Sequence, residues 1–99
     1  MITVFLYGGS ARFSANTAFD WECPVVGDSH KLILFLAQTG NKPDFRSACV
    51  ELERYGFFDI TLKDGRPILA ESLNTPGMEV FRKHYEGAFE EGSSVVWYP

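Results

Sequence analysis

At 99 residues the chain has the length of one domain, because domains run to roughly 100–200 residues, and it is expected to fold as a single unit over 1–99. Its 45% hydrophobic and 15% aromatic content supplies a core and excludes a disordered, collagen-like or coiled-coil chain. A net charge of −4, nine basic side chains against thirteen acidic, argues against a general nucleic-acid binder, which needs clustered Lys and Arg.

In chain order, residues 2–7 are β-branched and aromatic and predict a first strand. Gly8-Gly9-Ser10 then predicts a hairpin turn, because Ala11, Phe13, Ala15, Thr17, Phe19 and Trp21 alternate with polar positions as a second strand with one wet face. After the turn residues of 23–29, the apolar run Leu32, Ile33, Leu34, Phe35, Leu36, Ala37 fits a buried strand or a short helix. Gly40-Asn41-Lys42-Pro43, closing it soon after it begins, favours the strand. Asn41 is the expected N-cap of a first helix, whose stripe is Phe45, Ala48, Cys49, Leu52 and Tyr55, with Gly56 as the left-handed residue that ends it.

Phe58, Ile60 and Leu62 alternate with Asp59, Thr61 and Lys63, and Asp64-Gly65 predicts a two-residue hairpin into Arg66-Pro67-Ile68-Leu69, where Pro67 marks an edge strand. A second helix is expected from the Thr75 cap and Pro76, with Met78, Phe81, Tyr85, Ala88 and Phe89 inward, Glu79 placed four before Lys83, and Gly92 as its end. Residues 93–98 read as a last strand. The order β-β-β-α-β-β-α-β predicts an α+β fold: a curved antiparallel or mixed sheet of about five to six strands with two helices packed on it.

Chemical motifs are sparse. No helix pattern follows Gly8-Gly9-Ser10, so it does not align with a phosphate loop. His30 and His84 belong to no metal-ligand spacing, and Cys49 lies on the apolar side of its helix, where a cysteine is a small buried hydrophobe. Cys23 and Cys49 are expected to be free thiols in a reducing compartment, a disulfide between them being the alternative. The longest unbroken apolar run is six residues, against about 20 for a bilayer span, and the first residues lack the pattern of a signal peptide, so a cytoplasmic, membrane-free protein is expected.

Charge is more informative. Residues 1–50 are neutral overall, and the whole net charge of −4 lies in 51–99. An acidic surface steers cationic partners, while the bland reading is that it only keeps a small domain soluble. Trp21 between Asp20 and Glu22, and Trp97-Tyr98 near the other end, are aromatics of the kind that anchor protein interfaces.

From Gly56-Phe57-Phe58-Asp59-Ile60 through Asp64-Gly65-Arg66-Pro67-Ile68 and His84-Tyr85-Glu86 to Ser94-Val95-Val96-Trp97-Tyr98-Pro99, the chain resembles small bacterial immunity proteins of contact-dependent growth inhibition and related polymorphic-toxin systems. The resemblance, over residues 56–99, implies a single-domain cytoplasmic protein that binds and neutralises a cognate toxin domain, commonly a nuclease. It carries over no binding residue. Independently, carboxylates can occupy a cationic nuclease site where the nucleic acid would place phosphates. On that ground Asp20, Trp21, Glu22, Asp28, Glu86, Glu90 and Glu91 are the expected contacts. No catalytic residue, cofactor, metal or direct nucleic-acid contact is expected, and a monomer is expected, with a dimer as the alternative. A small α+β enzyme or ligand-binding domain, with a pocket lined by Tyr55, Tyr85 and His84, is the second reading. Strand addition at Arg66-Pro67-Ile68-Leu69 is a third.

Overall fold

The computed structural model describes residues 2–14, 25–68, 76–77 and 79–98. Six elements follow in the order β1 (Ile2–Phe13), β2 (Ser29–Thr39), α1 (Phe45–Arg54), β3 (Phe57–Pro67), α2 (Glu79–Glu91) and β4 (Ser93–Tyr98). The fold is α+β, with one four-stranded sheet in the order β3-β1-β2-β4 and every pairing antiparallel.

Among the described residues two expected hairpins are absent, which is why four strands stand there where about five to six were expected. Gly8-Gly9-Ser10 lies inside β1, and Asp64-Gly65 lies inside β3. In both places glycine admits a neighbour instead of turning the chain. A Cβ on Gly9 would stand 2.0 Å from the Thr61 carbonyl oxygen, at a register shift between β1 and β3. A Cβ on Gly65 would come within 2.9 Å of the Tyr7 ring. The apolar run from Leu32 is indeed a strand, and Pro67 does end an edge strand.

Alternation along the two central strands sends side chains to both sides, and each side receives one helix. Phe5, Tyr7, Ala11, Phe13, Leu32, Leu34 and Leu36 meet Ala48 and Leu52 of α1, while Val4 and Phe35 meet Ala88 of α2, with Leu6, Ile33, Phe81, Tyr85 and Val96 around them. The sheet is therefore a middle layer between α1 and α2. Burying a large apolar side chain contributes about 1.5–3 kcal/mol, so the larger cluster under α1 is the main source of cohesion.

Helix ends follow local chemistry. Asp44, and not Asn41, caps α1: its carboxylate accepts the Ser47 N–H at 3.1 Å and the Ser47 hydroxyl at 2.7 Å. Pro43 accounts for the shift, since a residue directly before proline is pushed out of the helical region. Gly56, at φ 98°, ends α1 as expected, and Gly92, also at 98°, turns α2 into β4. Pro76 and Gly77 form a turn before α2 and not its first residues; Thr75 and Met78 lie outside the described residues. No helix among the described residues is long and apolar enough to cross a membrane.

Candidate partner-binding surface

Phe81, Tyr85 and Ala88 of α2 face the sheet, whereas Phe89, expected inward, is 46% exposed, and the charged Glu79, Arg82, Lys83, Glu86, Glu90 and Glu91 are exposed as well. Glu79 is favourably placed at the positive end of the helix dipole, and its carboxylate accepts the Gly77 N–H at 3.1 Å. The other end is different. The last turn contains no basic residue, Glu90 and Glu91 sit at the negative end of the dipole, and Glu86 stands one turn before Glu90 with the same charge. None of these three carboxylates has an ion-pair partner among the described residues.

Beside Glu91, the end of α1 and the start of β4 make a polar seam. Glu51 Oε1 accepts from Arg54 Nη1 at 2.6 Å and from the Ser93 hydroxyl at 2.8 Å. With its proton committed to Glu51, Ser93 Oγ accepts from the Tyr55 hydroxyl, 3.1 Å away, and Tyr55 also reaches the Ser93 carbonyl at 3.3 Å. Ser93 is only 5% exposed, so this directed chain satisfies a group that would be costly to bury alone. Glu51, Arg54, Tyr55, Glu91 and Ser93 line a cavity of about 250 Å3. Glu53, two residues on, is exposed, but Glu51 is held in the seam.

The pocket expected from Tyr55, Tyr85 and His84 does not assemble. Tyr55 packs on the α1 side of the sheet and Tyr85 on the α2 side. His84 stacks on Phe35, with centroids 5.7 Å apart, and its Nδ1 meets the Ser94 hydroxyl at 2.6 Å. Burial, and secondarily Lys83, pushes the His84 imidazole below its usual range, toward the neutral form. An imidazole on a serine hydroxyl is the geometry of a base with its nucleophile, but a third group orienting the ring is missing among the described residues. The pair instead ties α2 to β4. Burial first, and Glu53 second, push the free Cys49 thiol up, away from the reactive thiolate.

The expected contact residues do not form one patch. Glu86, Glu90 and Glu91 gather at the end of α2, whereas Asp28, also exposed, precedes β2 at the opposite end of the sheet. The Gly92 carbonyl accepts the Ala37 N–H, so the length of β2, roughly 25–30 Å, separates Asp28 from Glu91. Near Asp28, both ring nitrogens of His30 meet carbonyl oxygens, that of Tyr98 at 3.0 Å and that of Val25 at 3.2 Å. Trp97 packs edge-on against His30 and, partly buried, lies against the core, while Tyr98 is 43% exposed. Asp20, Trp21, Glu22 and Cys23 lie outside the described residues. Among the described residues no group of three or more His, Cys, Asp or Glu could hold a metal ion.

No protein-family model, curated protein or solved structure matches this chain.

Proposed function

We propose that this chain is a stoichiometric inhibitor of the immunity-protein kind, which binds a cationic toxin domain in the cytoplasm and occludes its active site. Nuclease domains are the favoured target class, because a site that holds phosphates is cationic and accepts carboxylates in their place. The observation that supports this reading is the end of α2. Glu86, Glu90 and Glu91 are exposed where the helix dipole and one another disfavour them, with no cation in ion-pair contact among the described residues. Sequences depart from local consistency of this kind at functional sites, and a cationic partner would remove the conflict.

The test is to purify the protein with the toxin domain encoded immediately upstream and measure binding, inhibition and protection of cells. A one-to-one complex that abolishes toxin activity supports the proposal. A protein that neither binds nor protects, or that turns over a substrate of its own, ends it.

A further inference from the structure

The two edges of the sheet are built differently. β3 carries Asp59, Lys63, Asp64 and Arg66, ends in Pro67, holds Asp59 at φ 51° and shifts register twice against β1. Charges, proline and bulges of this kind keep further strands from pairing with an edge. β4 has none of them. Its sequence, Ser-Ser-Val-Val-Trp-Tyr, is uncharged, and it pairs with β2 in unbroken register from Leu36↔Ser93 to Lys31↔Tyr98.

The ladder fixes which backbone groups face outward. Because Gly92 bonds Ala37 across the β2 side, alternation turns the N–H and C=O groups of Ser94, Val96 and Tyr98 toward β2 and those of Ser93, Val95 and Trp97 away from it. The Ser93 carbonyl takes the Tyr55 hydroxyl. Among the described residues, the outward groups of Val95 and Trp97 have no backbone partner, and no strand lies beyond β4.

At the Ser93 end this edge opens onto the 250 Å3 cavity. Among the described residues that line it, Glu51 and Glu91 outnumber Arg54, and the C-terminal ends of α1 and α2 both reach it. Each helix end adds about half a negative charge, so the cavity favours a cation despite the resident guanidinium.

We infer that the outer edge of β4 takes an extended, basic segment of the partner protein as a fifth strand, with one of its lysine or arginine side chains seated between Glu51 and Glu91. Main-chain bonds to Val95 and Trp97 supply affinity, and the acidic cavity selects the cation. This deepens the inhibitor reading and rests on it for the identity of the partner.

Amide exchange read at single residues tests the edge directly. With the upstream-encoded toxin domain, and separately with a short synthetic peptide of alternating threonine and lysine, the Val95 and Trp97 amides are expected to slow, while the inward amides of Ser94 and Val96 change little. A peptide of alternating threonine and glutamate is expected to leave all four unchanged. Val95→Pro removes one outward donor without touching the ladder to β2, and is expected to weaken binding about tenfold or more. The exchange measurement decides the matter if that variant does not fold. Tight toxin binding with unchanged Val95 and Trp97 amides overturns the edge and leaves the inhibitor reading standing. Slowing by the lysine peptide without toxin binding does the reverse. Concentration-dependent slowing in the protein alone overturns the inference in favour of a second copy on the same edge.

Discussion

Tyr7 on β1 holds Asp44, the residue that caps α1: its buried hydroxyl accepts the Asp44 backbone N–H at 2.7 Å and donates to Gln38 Oε1 at 2.6 Å. Burial pushes the phenol up, so it keeps the proton it donates. One oxygen thus joins the first strand, the second strand and the start of the first helix. Tyr7→Phe is expected to keep the ring against Phe45, 5.5 Å away edge-on, and to lose about 1–3 kcal/mol by leaving two polar groups unpaired. Urea unfolding of the two proteins measures this.

The two strand glycines make a steric prediction. Gly9→Ala forces a methyl group into the Thr61 backbone, which a side-chain shift cannot relieve, and Gly65→Ala presses on the Tyr7 ring. Overpacking costs about 1–3 kcal/mol, and Gly9→Ala is expected at or beyond the upper limit, with Gly65→Ala inside the range. Gly8→Ala meets nothing within 4 Å and serves as the control in thermal unfolding.

His84 gives a pH dependence with a definite sign. An imidazole that gives up its proton more readily when folded binds fewer protons in the folded chain, so stability falls as pH drops below its ordinary value of 6.5. The loss levels off once the folded ring has titrated as well. The urea midpoint of wild type is expected to fall from pH 7 toward about pH 5, and less so in His84→Gln. Asp44 acts in a separate window. Its hydrogen bonds to Ser47 hold its carboxyl below the ordinary 3.8, so its contribution is present above that pH and is lost as pH falls further.

Under the proposed function, the end of α2 sets stability against partner binding. Glu90→Lys and Glu91→Lys place cations at the negative end of the helix dipole, and a lysine at position 90 stands four after Glu86 in the favourable order. Each is expected to raise stability by about 0.3–1 kcal/mol. The same changes are expected to slow association with the toxin domain and to reduce its sensitivity to salt. Calorimetry paired with stopped-flow mixing reads both effects, and unchanged association removes these carboxylates from the interface.

Local patterns revealed much of this fold. The run from Leu32, the inward Ala48 and Leu52 of α1, and the glycines after both helices were readable because each depends on neighbours in the chain, whereas Phe45, expected in the same stripe, is 43% exposed. The strand count was not readable, because Gly9 and Gly65 answer to Thr61 and Tyr7, more than fifty residues away in each case. The outward carboxylates of α2 followed from helical spacing. Glu51 with Ser93 did not, since the contact joins residues 42 apart, and neither did the distance from Asp28 to Glu91, which needs the length of β2.

The strand order also bears on how the protein is made. β1 and β2, the two inner strands, precede both helices and both outer strands in the chain, and their ladder runs from Ile2↔Thr39 to Arg12↔Ser29. Ribosomes add about 5–20 residues per second, whereas a hairpin closes in about 1–10 μs, so this ladder has time to form long before β4 is synthesised. A two-stranded ribbon alone is marginal, and α1, next in the chain, brings Ala48 and Leu52 to its larger apolar side. Assembly can therefore proceed from the middle of the sheet outward, leaving β4 as the last edge to form.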